Sequence, residues 1–182
     1  GRLIHKILKK SIFKYVDKKI PTLSIGYALP YFRKDLSIIS SSIKLEEGVD
    51  LANNVAQSHM HALPLESASY EQIVAVHMLE QTPDPIDGLK ETWRVLKSGG
   101  KLILIVSNRN GLWSRTDRSP FGNGRPFSSK QAVTLLEMAG FVCEDIHPAI
   151  YLFPAKNRTL LRVSRWFQRT GKYLMIFPAG VH

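Results

Sequence analysis

The sequence has one cysteine, few acidic residues and no long apolar run, and each of these absences excludes a class of protein. Cys143 stands alone among 182 residues, so an intrachain disulfide and the zinc or iron–sulfur motifs built from several cysteines are excluded. No apolar run approaches the roughly 20 residues that cross a bilayer. Residues 1–19 are basic and lack the apolar core and cleavage site of a secretory signal. We expect a cytoplasmic protein without a transmembrane segment.

Acidic side chains number 15 against 25 lysines and arginines, which gives a net charge of +10. The charge is uneven, being +7 over residues 1–43, −7 over 44–91 and +10 over 92–182. Such a field attracts anionic partners, including nucleic acid, phosphorylated metabolites and membrane surfaces, and it equally fits a solvated basic face. Both interpretations stay open, and the sequence does not indicate an oligomeric state.

The length predicts one domain spanning residues 1–182. The chain does not begin with methionine, and residues 173–182 have the pattern of a strand that is only beginning. We therefore expect both termini to be incomplete.

Strand and helix signals alternate along the chain. Residues 3–16 form a basic amphipathic pattern, which predicts a helix that covers a sheet or, less commonly, lies on a membrane. Residues 44–58 have no secure assignment. Alternation of this kind predicts an α/β fold with a parallel sheet. Further helices are predicted over 84–98, 128–139 and 158–169, and strands over 22–26, 36–43, 71–79, 101–106 and 141–146.

Several residues predict where helices begin and end. Asp84 suits the N-cap of the second helix, and Gly99 is expected to end that helix in a left-handed turn. Ser128 and Gln131 form a capping-box pattern before the third helix, and Gly140 is expected to end it.

Gly26 follows the first predicted strand in "TLSIGYALP". Sheets of this class bind ligands at the carboxyl ends of their strands, so Gly26 is placed where a cofactor loop would lie. A lone glycine after a strand more often only permits a turn. Gly26 by itself does not distinguish the two.

The run that follows distinguishes a cofactor loop from a simple turn. Residues 62–113, with "HMLEQTPDP" and "RVLKSGGKLIL" as their most specific parts, resemble the second half of the class I S-adenosylmethionine-dependent methyltransferases, and "GRPFSSKQAVTLLEMAGF" extends the likeness. The resemblance implies a Rossmann-like three-layer sandwich whose mostly parallel sheet has an antiparallel last strand. It also implies S-adenosylmethionine as the cofactor.

The resemblance carries a set of cofactor-binding residues onto this chain, on the turns that follow the first and fourth strands and on the segment before "ALPL". They are Gly26, Tyr27, Ala28, His59, Met60, His77 and Met78. Ala28 and Pro30 stand where the family has further glycines, and His59 stands where it commonly has an aspartate that contacts adenine.

Glu46, about 20 residues after the glycine, is the candidate acceptor for the ribose hydroxyls. Glu46 and its neighbour Glu47 are equally well explained as solvated loop carboxylates. His59, His61 and His77 lack a carboxylate or fourth ligand at suitable spacing, so no metal site is predicted.

Residues 107–128 form a long loop after the fifth strand, rich in arginine, glycine and aromatic residues. We assign substrate binding to this loop, with an anionic methyl acceptor favoured by its arginines. A structural loop pinned by buried aromatic rings is the alternative. The candidate substrate-binding residues are Asn108, Arg109, Trp113, Arg125 and Phe127.

Methyl transfer is an in-line displacement that depends mainly on alignment and exclusion of water, so no catalytic residue is assigned. Three functions stay open: a methyltransferase acting on an unidentified acceptor, a non-catalytic cofactor-binding or interaction protein on the same fold, and a basic nucleic-acid-binding module. A nicotinamide dehydrogenase is disfavoured because two of its three required glycines are missing.

Overall fold

The computed structural model describes residues 9–28, 37–40, 55–108, 127–151 and 172–181, which build a single sheet flanked by helices. The strands are β1 (Thr22–Gly26), β2 (Ser37–Ser40), β3 (Val55–Gln57), β4 (Tyr70–Val76), β5 (Leu96–Ser107), β6 (Val142–Cys143), β7 (His147–Tyr151) and β8 (Lys172–Gly180). The helices are α1 (Met78–Gln81), α2 (Pro85–Val95) and α3 (Ser129–Met138).

The sheet order is β3-β2-β1-β4-β5-β8-β6, and β7 also pairs with β8. Strands β1 to β5 are parallel, whereas β8 runs antiparallel to β5, β6 and β7. The mostly parallel sheet with an antiparallel last strand is thus confirmed. The chain adds strands outward from β1 on one side and then from β4 on the other. The topological switch point therefore lies between β1 and β4, where such sheets bind ligands.

The central strands are buried on both faces. On one face Ile73, Ala75 and Leu104 belong to an apolar cluster that includes Leu89 of α2 and Leu136 of α3. Such continuous apolar strands are typical of parallel sheets covered by helices on each side.

A helical segment covers the opposite face. Residues 9–13 are helical, and Ile12 is fully buried. Asp17, shortly after this segment, donates its backbone N–H to Oε1 of Gln72, while the Gln72 amide donates to the Asp17 carbonyl and to the Thr22 hydroxyl. Because Gln72 alternates with Ile73 in β4, it lies on the face away from α2 and α3. The described part of the basic amphipathic pattern, residues 9–13, thus belongs to a helix that covers the sheet.

Most of the predicted helix boundaries are confirmed. The Asp84 carboxylate accepts from the N–H groups of Ile86 and Asp87 and begins α2. Ser128 and Gln131 form both bonds of the capping box at α3. Gly140 has a φ of +94°, and the Trp93 indole lies so close that a Cβ there would come 3.2 Å from its Nε1.

Helix α2 ends four residues earlier than Gly99, because Leu96 is already extended and pairs with Tyr70. Gly99 keeps a positive φ of 71°, but it serves an irregularity in β5, where the register shifts between Tyr70 and Gln72. The prediction of Gly99 as the helix terminator was therefore wrong, since strand pairing extends the chain first.

Other elements differ from the sequence-based expectation. Strand β4 ends at Val76 instead of continuing to residue 79, because His77 adopts a left-handed conformation and starts α1. Strand β3 lies in the stretch without an assignment, and β7 was not predicted. The tail forms a nine-residue strand, β8, instead of a strand that only begins. The predicted helix over 158–169 lies outside the described residues.

Candidate functional site

The turn after β1 rests directly on the end of β4. Gly26 has a φ of +77°, and a Cβ on it would come 2.4 Å from the Val76 carbonyl oxygen and 3.2 Å from the Met78 nitrogen. The backbone N–H of Tyr27 donates to the same Val76 oxygen at 2.7 Å. A side chain at position 26 has no room, so Gly26 is required here by close backbone approach as well as by its dihedral angle.

His77 forms the matching turn after β4. It adopts a left-handed conformation with φ 51° and ψ 26°, which is uncommon for a residue with a side chain. Its backbone N–H donates to the Ile105 carbonyl of β5 at 2.9 Å, and the residue is 6% exposed. The turns after β1 and β4 are thus fixed side by side at the topological switch point.

A buried carboxylate joins His77 to β5. Glu80 Oε1 accepts from the backbone N–H of Ser107 at 2.6 Å and lies 2.9 Å from Nδ1 of His77. Because a carboxylate oxygen accepts, the imidazole Nδ1 is the donor of that contact. The Ser107 hydroxyl lies 3.4 Å from the same nitrogen. Only 5% of the Glu80 side chain is exposed, so this carboxylate is held almost entirely by protein groups.

The loop after β5 begins and ends at one place. Asn108 pairs with Phe127 in an isolated parallel bridge, and the Phe127 N–H donates to the Ser107 carbonyl at 3.1 Å. Asn108 is 5% exposed and Phe127 packs against the apolar cluster. Two of the predicted substrate-binding residues are therefore brought together, next to the Glu80 carboxylate that bonds Ser107.

The segment before β4 presents His59 to solvent. Its ring stacks on His61 with centroids 5.4 Å apart, and the Ala62 N–H donates back to the His59 carbonyl. The two histidines lie in a turn closed by the bridge between His59 and Ala62. Met60 and Met78 are buried in the apolar cluster, so their side chains serve packing.

Glu91 and Arg94 of α2 hold this segment. Glu91 Oε1 accepts from the Leu63 N–H at 2.8 Å, and Arg94 donates to Glu91 and to the Leu65 carbonyl at 2.7 and 2.9 Å. The hydrogen bond from Arg94 lowers the pKa of the Glu91 carboxyl most strongly, burial opposes the shift, and the Leu63 N–H adds to it. Both residues belong to the run that carries the family resemblance.

Four of the predicted site residues, Glu46, Arg109, Trp113 and Arg125, lie outside the described residues. Gly26, Tyr27, Ala28 and His77 lie on the turns at the switch point. Tyr27 is 39% exposed while Ala28 is fully buried, so of these two only the Tyr27 side chain is accessible at the edge.

Sequence reasoning missed Glu80 and Ser107. The spacing of His77 and Glu80, three residues apart on a turn of helix, was a signal for their contact. The contact with Ser107 spans 27 residues and had no local signal. Across the ranges that the structure describes, no three His, Cys, Asp or Glu side chains are grouped to hold a metal ion, and no helix is long and apolar enough to span a membrane.

Comparison with known proteins agrees with this geometry. Residues 36–104 match the family described as "Methyltransferase domain". A demethylmenaquinone methyltransferase of Lactococcus lactis is 33% identical over 89 residues, which cover 48% of this chain and 35% of that protein. The chain thus spans about a third of the length of the curated relatives it matches.

Two solved structures share the fold. A S-adenosylmethionine-dependent methyltransferase of Thermotoga maritima, described as a possible histamine N-methyltransferase, superposes with a TM-score of 0.68 at 22% identity, covering 97% of this chain and 91% of that one. The [4+2]-cyclase SpnF superposes with a TM-score of 0.63 at 17% identity, covering 96% and 79%. By its matched segment and its fold, this chain is similar to S-adenosylmethionine-dependent methyltransferases.

Proposed function

We propose that the protein transfers a methyl group from S-adenosylmethionine to an anionic acceptor. The observation that carries the proposal is the close packing of the Gly26 turn against the His77 turn at the switch point. A Cβ added to Gly26 would come 2.4 Å from the Val76 carbonyl oxygen. A sheet of this order binds its ligand at that place. The curated relatives that the chain matches are named as methyltransferases.

The residues at this edge fit the cofactor in kind. Tyr27 offers a partly exposed ring, and His59 offers an exposed one. Glu80 Oε2 is a buried acceptor atom without a hydrogen-bond partner among the described residues, so the edge retains unmet polar capacity. We infer that the Gly26 turn holds the amino-acid end of the cofactor and that His59 and Tyr27 contact its flat or polar parts.

The cofactor supplies an electrophilic methyl group on a sulfonium. The chain's own contribution is to hold the acceptor in line and to keep water out, because displacement at a methyl group depends on alignment. Asn108 and Phe127 close the base of the loop that we assign to the acceptor, so that loop is tethered where the two turns meet. The arginines of residues 109–125 favour an acceptor with a phosphate or carboxylate group.

Calorimetric titration with S-adenosylmethionine and with its demethylated product tests the cofactor site. We expect micromolar binding by the wild type and a loss of at least about tenfold in Gly26→Val. Gly99→Val is the matched control, because Gly99 also has a positive φ but lies near the opposite end of β5 with no atom within 4 Å of an added Cβ. No binding of either compound by the wild type would contradict the proposal.

The acceptor class is tested in a second step. Methyl transfer from labelled cofactor is measured with pairs of candidate acceptors that differ in one phosphate or carboxylate group. We expect transfer to the charged member of a pair and little to its neutral analogue. Equal transfer to both members would still support methyltransferase activity but would contradict the proposal of an anionic acceptor.

A non-catalytic role on the same fold is the second candidate. It is favoured by Ala28 and Pro30, which stand where the family has further glycines, and by the Tyr27 N–H, which is already used by the Val76 carbonyl and cannot serve a ligand. The likeness to a protein named as a cyclase also illustrates that this fold hosts other activities. Cofactor binding without transfer to any acceptor would support it.

A further inference from the structure

Glu80 lies at the centre of the candidate site, and neither the sequence motifs nor the comparisons give it a role. It sits on the four-residue helix α1 with its side chain 5% exposed. A carboxylate so deeply buried is retained only where it is well hydrogen-bonded. Its Oε1 atom accepts from donors on two different elements, Ser107 at the end of β5 and His77 in the turn after β4.

The His77 turn needs such support. A left-handed conformation at a residue with a side chain is strained and persists only where its surroundings enforce it. The contacts that do so here include the backbone N–H bonded to Ile105 and the imidazole Nδ1 bonded to Glu80. The first fixes the backbone to β5, and the second fixes the ring to a carboxylate that is itself fixed to β5.

The turn after β1 also depends on the contacts that hold His77. The Val76 carbonyl that immediately precedes His77 accepts the Tyr27 N–H at 2.7 Å, and Gly26 approaches Val76 and Met78 too closely for any side chain. A continuous set of contacts therefore runs from Ser107 through Glu80 and His77 to the Gly26 turn.

We propose that Glu80 is a positioning residue that holds the turns after β1 and β4 in the geometry that binds the cofactor. It acts on the turns through His77 and the Val76 carbonyl. The effect on cofactor affinity rests on the proposed function, whereas the effect on the turns does not. Without the carboxylate, His77 loses the 2.9 Å contact that ties its ring to β5 through Glu80, and the support under Tyr27 loosens.

The test uses the full chain with Glu80→Ala, Glu80→Gln and Glu80→Asp. Glutamine retains an oxygen that can accept from Ser107, whereas aspartate keeps the charge but is one methylene too short to reach both donors. The control is Gln72→Ala, which removes another buried polar side chain from the opposite end of β4, where it bonds Asp17 and Thr22.

Amide hydrogen exchange without cofactor is the first readout. We expect the amides of Tyr27, His77 and Ser107 to exchange at least about tenfold faster in Glu80→Ala, with Glu80→Asp intermediate and Glu80→Gln close to the wild type. Gln72→Ala should leave these three amides unchanged while lowering global stability. If Glu80→Ala does not fold, the comparison of the aspartate and glutamine variants gives the same answer.

Calorimetry with S-adenosylmethionine is the second readout. We expect the dissociation constant to rise at least about tenfold in Glu80→Ala, to be largely restored in Glu80→Gln and to stay within about twofold of the wild type in Gln72→Ala. Unchanged exchange at Tyr27, or a change in affinity no larger than that of the control, would overturn the inference. Absence of wild-type binding would refute the proposed function instead, and the exchange data would still decide whether Glu80 holds the turns.

Discussion

At the scale of single residues, Gly26 and Gly99 make a matched pair. Both have a positive φ, but a Cβ on Gly26 would come 2.4 Å from the Val76 oxygen, whereas a Cβ on Gly99 would meet no atom within 4 Å. We expect Gly26→Ala to lower the free energy of unfolding by about 3 kcal/mol and Gly99→Ala by about 1 kcal/mol. Urea unfolding of the two variants measures the difference. Equal losses would indicate that the dihedral angle alone decides the cost.

Some residues of the site are indicated by the sequence around them, whereas others depend on contacts with residues far away in the chain. Gly26 was placed directly after a predicted strand, and the strand is found there, whereas the predicted strand over 71–79 ran past His77, whose place in the site came from the family resemblance. Glu80 could not be predicted, because its role depends on the Ser107 N–H, 27 residues away, and on the register that brings β4 beside β5. The burial of Met60 and Met78 was hidden for the same reason, since packing partners come from distant elements.

At the scale of elements, α2 fastens the segment before β4 through Glu91 and Arg94. We expect Glu91→Gln to lower the free energy of unfolding at neutral pH by about 1–2 kcal/mol, because the amide loses the charge-assisted bond with Arg94. Glu71→Gln is the control, since the Glu71–Lys97 pair has a similar distance of 2.9 Å but is about half exposed, and such pairs contribute little.

The same carboxylate predicts a pH dependence. The pKa of Glu91 is lowered in the folded state, mainly by the hydrogen bond from Arg94, so its contribution is present above the ordinary glutamate pKa and is lost as pH falls through the lowered one. Urea unfolding at a series of acidic pH values should show a shallower loss of stability in Glu91→Gln than in the wild type. Parallel curves would mean that Glu91 is not protonated within that range.

Elements were predictable where local signals and tertiary structure agree. The capping residues Asp84 and Ser128 begin their helices as expected because capping bonds are local. The end of α2 was not, since Leu96 pairs with Tyr70 before the glycines are reached. Short strands such as β3 and β7 have too few residues for a periodic pattern, and only their pairing with β2 and β8 defines them.

At the scale of the whole molecule, the +10 charge separates two kinds of partner. A protein that neutralises six to ten phosphates of nucleic acid loses about 10³–10⁵ in affinity between 50 and 200 mM salt. A site for a small anionic acceptor loses far less, so we expect only weak binding of nucleic acid, abolished at about 200 mM salt, while cofactor affinity changes by less than about threefold. Fluorescence anisotropy with labelled duplex and single-stranded DNA at both salt concentrations measures this. Tight binding of either nucleic acid at 50 mM salt that weakens by about 10³-fold or more at 200 mM would favour the nucleic-acid-binding function.

The position of β8 between β5 and β6 has a consequence for how the protein is made. β5 is buried and apolar through Leu102–Val106, yet among the described residues its edge away from β4 is paired only with Lys172–Gly180, about 65 residues later in the chain. A ribosome that adds about 5–20 residues per second takes several seconds to deliver that strand. During this time β1, β4 and β5 have all emerged, and the nascent sheet presents an unpaired apolar edge of the kind that recruits chaperones or other chains.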